Sequence, residues 1–327
     1  MTFPIINDYR NALRNSSGRF ATLKMQPVVD ANGTPIFMAG NFAVVFKVLS
    51  GQENAQFALK CFIRELPDLE KRQSLTSQYI AGSDSRYLIE TGFLAKELFT
   101  NSIIAATGDY PVVVMPWIDG SSLGGVLKKL CDKGHHKGLV AMTRAWANLS
   151  LNMLANGIAH GDLKHDNVLI TAEGQIRLID YDSMYTPKMK GMRSVLLGGA
   201  SYQHPRRDIR HFNGALDHFS MLVILLSMRA LTIDPGLYAR FNTGENIIFT
   251  ATDFISPMHS ALFSELQQSP CSQVRNWAGV LQKNCASDSI AVSGLERFLQ
   301  DAKKLTEEAG QGGGGSFFSR PKQRAFG

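Results

Sequence analysis

Six polar or charged side chains lie within eight consecutive residues of the segment IAHGDLKHDNVLI, residues 158–170. Apolar residues flank this group on both sides, so the segment reads as a short polar loop between buried elements. The six residues are His160, Asp162, Lys164, His165, Asp166 and Asn167. Burying so many polar groups is costly unless each has a partner. The loop therefore indicates a reaction that uses carboxylate, amide and ammonium groups together.

Phosphoryl transfer requires this combination of groups. The transferred group spreads negative charge over its oxygens, so the site must supply metal ions and cationic donors. Mg²⁺ prefers carboxylate and amide oxygens, and Asn167 and the later Asp180 fit that role. Asp162 can accept the proton of an attacking hydroxyl, while Lys164 can offset charge that develops near the γ-phosphate.

The elements on either side of the loop must hold these side chains in place. The apolar spacing of LVAMTRAWANLSLNMLANG, residues 139–157, predicts a helix that ends at Gly157. The segment NVLITAEGQIRLIDYD, residues 167–182, alternates and turns at AEGQ, which predicts a β-hairpin. A polar turn with capping Asp and Asn is the alternative, but it would not explain the hairpin and the second Asp at its end.

This order of helix, polar loop and hairpin resembles the catalytic core of the protein kinase family. The family pattern H-x-D-x-K-x-x-N appears at residues 160–167, and DYD at 180–182 stands where D-F-G is common. The resemblance covers roughly residues 20–305 and implies an α+β, bilobal fold, with a small β-rich N-lobe, one inserted helix and a larger helical C-lobe. It also implies that ATP and Mg²⁺ are the cofactors.

The resemblance assigns roles to the loop residues and to an upstream lysine. Residues that match Asp162 and Lys164 are catalytic in the family, and those that match Asn167 and Asp180 bind metal. The segment AQFALKCFI resembles the strand whose lysine contacts the nucleotide phosphates, which makes Lys60 the matching residue.

A carboxylate on the inserted helix, PDLEKRQSLTSQYIAG, would hold Lys60 in position. Glu70 is the predicted partner and is also placed among the catalytic residues, although it follows Lys60 by a shorter interval than is usual. Glu65 is the alternative acid, and a first-turn Glu that stabilises the helix dipole is the structural interpretation of Glu70.

The nucleotide is predicted to contact several further residues of the N-lobe. MAGNFAVVFKV resembles the glycine-rich loop, but only Gly40 remains of three common glycines, since Met38 and Ala43 stand at the other positions. Val45 is predicted to pack against the adenine, with Ala58 nearby. A plain hairpin turn is the alternative for this segment.

The segment VVVMPWIDGSSL resembles the connection between the lobes. Met115 matches the gatekeeper position, and the Pro116 carbonyl and the Ile118 amide match the groups that bind adenine. Proline lacks an N–H but keeps its carbonyl, so the substitution is compatible with this role. A buried strand end is the alternative interpretation.

Two later features indicate a protein kinase. The stretch from Asp180 to Pro205 is long enough for an activation segment, and SYQHP resembles its closing motif with Arg206 in place of the usual acid. Asp217 opens the apolar run DHFSMLVILLSM and resembles the buried Asp that anchors the catalytic loop; an ordinary helix N-cap is the alternative.

Gly161 stands where most regulated kinases carry an arginine next to the catalytic aspartate. That arginine is an unpaired charge until a phosphate on the activation segment neutralises it. Without it, the unphosphorylated protein is expected to be competent already. The possible phosphate acceptors in the segment are Ser183, Tyr185, Thr186, Ser194 and Ser201.

Composition fits an ordinary globular protein: 327 residues, 44% of them hydrophobic and 19% charged, with a formal net charge of +6. Its four cysteines form no metal-binding spacing, and the chain shows no signal peptide, so a reducing, cytoplasmic location is expected, with no membrane or nucleic-acid partner. The predicted domains are an N-terminal extension, the N-lobe, the hinge with the C-lobe, and a flexible Gly-rich tail: 1–19, 20–115, 116–308 and 309–327.

The resemblance predicts an ATP- and Mg²⁺-dependent kinase that phosphorylates Ser or Thr of a protein substrate. The motifs HGDLKHDN and LIDYD are most similar to those of bacterial members of the family. The genes of some of these members lie beside genes for a metal-dependent protein phosphatase and a von Willebrand-type protein, which are therefore possible partners. Two other functions stay open: a pseudokinase that serves as a binding or scaffold module, and a small-molecule phosphotransferase.

Overall fold

The computed structural model describes residues 2–51 and 55–306. The chain folds as two compact units that divide between Ile118 and Asp119. The predicted tail 309–327 and most of the predicted turn GQEN lie outside the described residues. The first unit is rich in β-strands and the second is mostly helical, which confirms the predicted α+β fold class.

The first unit is built on an antiparallel sheet with the strand order β1-β3-β4-β6-β5, and β2 pairs with β3. The strands are β1 (Met25–Pro27), β2 (Phe37–Ala39), β3 (Ala43–Ser50), β4 (Gln56–Phe62), β5 (Gly92–Thr100) and β6 (Gly108–Pro116). The helix α2 (Leu69–Ala81) follows β4, as the sequence predicts.

The inner strands are apolar because one face of this sheet is fully buried and the other is partly covered. Val44, Phe46 and Leu59 are fully buried on one face. The residues between them alternate to the other face, since successive side chains of a strand point in opposite directions. β-Branched and aromatic residues dominate these strands, which fits their preference for a packed, pleated surface.

A helix that the sequence analysis left inside the N-terminal extension completes the first unit. It is α1 (Ile6–Arg14), whose Tyr9 and Leu13 are fully buried in the cluster that contains Val44. The Tyr9 hydroxyl donates a hydrogen bond of 2.8 Å to the Phe62 carbonyl at the end of β4. The residues before β1 are therefore part of the core of this unit.

The strand predicted over SRYLIETGFLA begins later than expected. Residues 85–91 form turns and loop, where Leu88 N–H donates to Ser85 C=O, and β5 starts at Gly92. Tyr87 and Ile89 are nevertheless buried. Apolar residues that are buried from a loop have the same alternation as a strand, so the sequence pattern could not separate the two.

The second unit packs further helices around one apolar helix, α5 (His218–Ile233). They are α3 (Leu123–Asp132), α4 (His136–Ala155), α6 (Gly236–Phe241), α7 (Ala251–Ile255), α8 (Ala261–Gln267), α9 (Ser272–Cys285) and α10 (Leu295–Lys303). Nearly every side chain of α5 is buried, which explains why its sequence is hydrophobic on all sides. Within the described residues, no helix is both long and apolar enough to cross a bilayer.

A small sheet lies beside these helices and carries the predicted hairpin. Its strand order is β7-β8-β9, with β7 (Gly120–Ser122), β8 (Val168–Thr171) and β9 (Ile176–Leu178). The hairpin register pairs Val168 with Leu178. The polar loop of residues 160–167 therefore connects the end of α4 to a rigid hairpin.

Two buried histidines and one half-buried histidine predict that the protein loses stability in mild acid. Burial lowers the pKa of His165, His204 and His218. The native state then binds fewer protons than the unfolded state once the pH falls below about 6.5, so the free energy of unfolding decreases by at most about 1.4 kcal/mol per pH unit for each histidine.

Urea unfolding at about pH 7.5, 6.5 and 5.5 measures this dependence. The variant His218→Phe removes one of the three groups and is expected to give a shallower decrease than the wild type. If the wild type is as stable at about pH 5.5 as at about pH 7.5, or more stable, the interpretation is contradicted.

Candidate active site

The polar loop is attached to the central helix through Asp217. The backbone N–H of His160 donates to the Asp217 carboxylate, and that of Gly161 donates to Oδ1 at 3.0 Å. Asp217 is fully buried and its side chain caps no N–H of α5. The predicted anchoring role is thus confirmed; Asp217 is also the N-cap residue of α5 by position, but its side chain does not cap the helix.

Burial raises the pKa of Asp217, while the nearby His160 and Arg207 and the two backbone hydrogen bonds oppose the rise. A buried carboxylate is costly without such partners. The loop and the carboxylate therefore depend on each other, because each satisfies polar groups that the other buries.

Asp162 is the loop residue with the most defined environment. Its Oδ1 accepts a hydrogen bond of 2.8 Å from the backbone N–H of Gly199. Its Oδ2 accepts from Asn167 Nδ2 at 3.2 Å and lies 3.6 Å from Lys164 Nζ. The carboxylate keeps 19% of its side-chain surface exposed. It is therefore fixed in direction but still reachable by a substrate hydroxyl.

Asn167 ties the loop to the hairpin. Its Nδ2 also donates to the Asp162 backbone carbonyl at 2.8 Å. The backbone carbonyl of Asn167 accepts a hydrogen bond of 3.1 Å from the Ile179 N–H. Ile179 comes directly before Asp180, and its carbonyl lies 2.8 Å from His160 Nε2. The structure thus brings Asp162, Lys164 and Asn167 together and joins them to the backbone that leads into Asp180.

Asp180 adopts a backbone conformation that is rare for a residue with a side chain, with φ 67° and ψ 74°. Left-handed backbone costs roughly 1–2 kcal/mol for such residues. Strain of this kind concentrates at functional sites, where it directs a side chain. The observation supports a functional role for Asp180 and was not visible in the sequence.

The donor set of Asn167 and Asp180 fits Mg²⁺. Both hydrogen bonds that Asn167 Nδ2 makes go to Asp162, which directs the amide oxygen Oδ1 away from that residue. An amide oxygen and a carboxylate are ligands that Mg²⁺ accepts together with phosphate and water oxygens. Within the described residues, no cluster of three or more His, Cys, Asp or Glu could hold a metal without a ligand's help.

The predicted nucleotide residues of the first unit share one face of its sheet. Val45 pairs with Lys60 across β3 and β4, and Ala58 pairs with Met115 across β4 and β6. Directly paired residues point to the same side, as do residues two apart on a strand. The four side chains therefore lie on the face opposite to the one that packs against α1.

Gly40 lies in the turn of the β2–β3 hairpin, where its N–H donates to Ala43 C=O at 2.9 Å. Its φ is not positive, and an added Cβ would meet only the Ala43 carbonyl at 3.4 Å. The fold therefore does not itself require glycine here. Met38, at a position where the family often has glycine, is 57% exposed.

The predicted adenine-binding groups lie at the end of β6. Trp117 N–H donates to Gln56 C=O at 2.9 Å, so this residue pairs with the start of β4. Backbone groups of successive residues alternate in direction along an extended chain. The Pro116 carbonyl therefore points to the other side from the Trp117 contact, and Ile118 lies two residues beyond the end of the strand.

The structure places the two predicted members of the Lys–Glu pair in different surroundings. Lys60 is buried on β4, whereas Glu70 is exposed in the first turn of α2. Glu65 and Glu70 both line an open cavity of about 1010 Å³ in the first unit, together with Lys71 and Lys96. The pairing of Glu70 with Lys60 stays a prediction.

A double-mutant cycle tests this pair. If Glu70 positions Lys60, Lys60→Ala and Glu70→Ala impair the same step, so the double variant is expected to lose little more than the worse single variant. The measurement is the initial rate of phosphate transfer for all four proteins. A silent Glu70→Ala beside a severe Lys60→Ala would remove Glu70 from the site, and Glu65→Ala would be measured next.

Four of the five possible phosphate acceptors are buried. Ser183, Tyr185, Thr186 and Ser194 each have less than a tenth of their surface exposed, and Ser201 is half-buried. The Tyr185 backbone forms a bridge with Ala159 just before the polar loop. The segment after the hairpin is thus packed against the rest of the second unit.

Sequence analysis missed two contributors to the site. The Gly199 N–H, which binds Asp162, is a backbone group and leaves no side-chain signal. The buried Arg207 donates to the Gly161 carbonyl at 2.8 Å. No sequence signal was available for this contact, because the sequence shows neither the burial of Arg207 nor the backbone carbonyl that Arg207 binds.

Comparison with known proteins agrees with this geometry. The profile of the protein kinase domain matches residues 38–234, which is more than half of the chain. Serine/threonine-protein kinase PAK 1 of Mus musculus is 28% identical over 125 residues, 37% of this chain and 22% of that protein. Serine/threonine-protein kinase pakE of Dictyostelium discoideum is 23% identical over 194 residues, 58% of this chain and 20% of that protein.

The β-rich unit with its lysine strand and the helical unit with its anchored polar loop are features of the protein kinase fold. The chain belongs to the protein kinase domain family, whose members generally use ATP and a divalent metal ion. The matched regions span only about a fifth of the length of the two relatives.

Proposed function

We propose that the protein transfers the γ-phosphoryl group of ATP to Ser or Thr hydroxyls of a protein substrate, with Mg²⁺ as the metal. The observation that carries this proposal is the environment of Asp162. One carboxylate oxygen is held by the Gly199 N–H, and the other faces Asn167 and Lys164. A substrate hydroxyl that attacks a phosphate needs a base that is held in position and can accept its proton, and Asp162 meets this requirement.

Each residue of the polar loop has a defined part in this reaction. Asp162 orients the acceptor hydroxyl and accepts its proton, because its carboxylate is fixed and partly exposed. Lys164, whose side chain is 32% exposed, offsets negative charge near the transferred group. Asn167 and Asp180 would hold Mg²⁺, which screens the charge of the phosphates when it is bound.

The residues of the first unit would hold the nucleotide. Lys60 contacts the phosphates, and Val45, Ala58 and Met115 form an apolar surface for the base on the same face of the sheet. Gly40 allows the hairpin backbone to approach the phosphates. Preference for Ser and Thr rests on Lys164 and on the names of the two distant relatives.

A transfer assay tests the proposal directly. The wild-type protein is incubated with γ-labelled ATP, Mg²⁺ and general acceptor proteins, and the labelled amino acids are identified after acid hydrolysis. Label on phosphoserine or phosphothreonine is expected, and Asp162→Asn is expected to lower the rate by about 100-fold or more. Label on tyrosine alone, or no label at all, would contradict the proposal.

The pseudokinase alternative draws on one observation, the exposed Met38 in a hairpin that retains a single glycine of the family pattern. A bulkier residue keeps the backbone farther from the phosphates. A protein that binds ATP in a titration but shows no transfer at saturating ATP would establish this alternative in place of the enzyme.

We also infer that activity does not depend on phosphorylation of the activation segment. Gly161 supplies no cation for a phosphate to neutralise, and four of the five acceptors are buried in the unphosphorylated chain. Protein treated with a phosphatase is therefore expected to show the same initial rate as protein preincubated with ATP.

The matched comparison uses Ser201→Ala, because Ser201 is the acceptor that burial does not protect. This variant and the wild type are expected to start at the same rate, without a lag. A lag that preincubation removes, and that one of the five substitutions abolishes, would show that phosphorylation controls the enzyme.

A further inference from the structure

Arg207 is a buried arginine with acceptors on three segments of the second unit. Only 8% of its surface is exposed. Its Nη1 donates to the Gly161 carbonyl at 2.8 Å and to Gln203 Oε1. Its Nη2 lies 3.3 Å from the Leu196 carbonyl and 3.4 Å from Ser194 Oγ. One guanidinium thus joins the polar loop to the activation segment.

The acceptors lie far apart along the chain. Gly161 precedes Arg207 by 46 residues, and Leu196 precedes it by 11. Arginine suits this task because its planar group carries five N–H donors in a fixed fork. A lysine ammonium is a compact point charge and lacks the planar fork that directs the donors of arginine.

Two nearby carboxylates, those of Asp217 and Asp162, favour the positive charge of Arg207. Burial lowers the pKa of Arg207, and the neighbouring Asp217 and Asp162 oppose that change. Asp217 holds the loop through the N–H of Gly161, while Arg207 holds it through the carbonyl of the same residue. Gly161 is therefore fixed at both of its backbone groups.

The backbone at Gly161 explains why the cation comes from another segment. Gly161 has a φ of 80°, and an added Cβ would lie 2.2 Å from the Ser183 carbonyl oxygen. No side chain fits there unless the backbone shifts. An arginine at this position is excluded by the same contact, so the guanidinium must reach the loop from outside it.

The segment that Arg207 binds is also in contact with the carboxylate of Asp162. Gly198 packs so closely that an added Cβ would lie 2.8 Å from Asp162 Oδ1 and 2.9 Å from the Gly161 carbonyl oxygen. The next residue, Gly199, donates its N–H to Asp162. A shift of residues 194–199 relative to Gly161 would therefore displace the donor that orients Asp162.

We propose that Arg207 is a positioning residue for phosphoryl transfer, which holds the activation segment against the catalytic loop so that Gly199 orients Asp162. The inference rests on the proposed function and deepens it, because it names a residue that holds the activation segment in place without a regulatory phosphate. It assigns Arg207 no contact with the substrate or the nucleotide.

Kinetics of two neighbouring arginine variants test the proposal. Arg207→Gln is compared with Arg206→Gln, because Arg206 is exposed and pairs with Asp288 outside the loop. At a temperature where both variants are folded, Arg207→Gln is expected to lower kcat by about 10- to 100-fold with little change in the KM for ATP. Arg206→Gln is expected to stay within about twofold of the wild type.

Arg207→Lys adds the conservative replacement. It is expected to exceed Arg207→Gln in kcat but to stay at least about threefold below the wild type, since an ammonium lacks the fork. If Arg207→Gln does not fold, Arg207→Lys alone decides, and wild-type kcat in that variant would overturn the proposal. Wild-type kcat in a folded Arg207→Gln protein would overturn it as well.

Hydrogen exchange separates this inference from the proposed function, because it needs no activity. The amides of Gly161 and Gly199 are expected to exchange about tenfold faster in Arg207→Gln than in Arg206→Gln. Equal exchange in the two variants would refute the positioning role. Absence of transfer by the wild type would instead refute the kinase proposal, and the exchange result would still decide the role of Arg207.

Discussion

The variant Asp180→Ala is expected to lose phosphate transfer by at least about 100-fold while the protein stays folded. Asp180 follows the hairpin that is bonded to Asn167, and its strained backbone directs its carboxylate. The loss of the carboxylate removes a proposed metal ligand but no part of the hydrophobic core. Initial transfer rates at saturating Mg²⁺ and ATP measure the effect, and thermal unfolding measures the stability.

Two further variants control this result. Asp180→Asn removes the charge but suits left-handed backbone better than alanine does, so it is expected to match the wild type in stability and Asp180→Ala in lost transfer. Asp166→Ala removes a nearby carboxylate that is 55% exposed and is expected to change the rate by less than about threefold. Wild-type transfer by a folded Asp180 variant would refute the metal assignment.

The variant Gly161→Ala is expected to damage both the stability and the activity of the protein. The methyl group would lie 2.2 Å from the Ser183 carbonyl oxygen, and the φ of 80° already disfavours any side chain. The loop must then move away from Asp217 and Arg207, which fix its backbone. We expect a loss of more than about 2 kcal/mol in unfolding free energy and at least about 100-fold in transfer rate.

Gly157→Ala is the matched control for this substitution. Gly157 ends α4 with a φ of 60°, and an added Cβ would meet no atom within 4 Å. Its replacement carries the cost of left-handed backbone alone, roughly 1–2 kcal/mol, and is expected to preserve transfer. Equal effects of the two substitutions on stability and rate would mean that the contact with Ser183 has no consequence.

Most of the candidate site could be predicted because its chemistry is carried by side chains at fixed spacing. The hairpin follows from its alternating pattern, while the anchoring role of Asp217 follows from the resemblance to protein kinases. Such patterns are readable because each polar residue interrupts an apolar run and so needs a specific reason to be there.

The parts that escaped prediction depend on backbone groups and on long-range packing. Arg207 binds two backbone carbonyls, and the Gly199 N–H binds Asp162, so neither contact has a partner that the sequence can reveal. The φ values of Asp180 and Gly161 are set by the surrounding fold. Tyr87 and Ile89 are buried from a loop by long-range packing, and their apolar pattern in the sequence therefore resembled that of a strand.

The helix α1 has a practical consequence for anyone who shortens this protein. The family match begins at residue 38, but Tyr9 and Leu13 lie in the core of the first unit, and β1 pairs with β3. A chain trimmed to the match would open an apolar surface to water and leave part of the β3 edge unpaired, both of which promote aggregation. A trimmed chain that retains every proposed site residue is therefore expected to be insoluble when it is expressed.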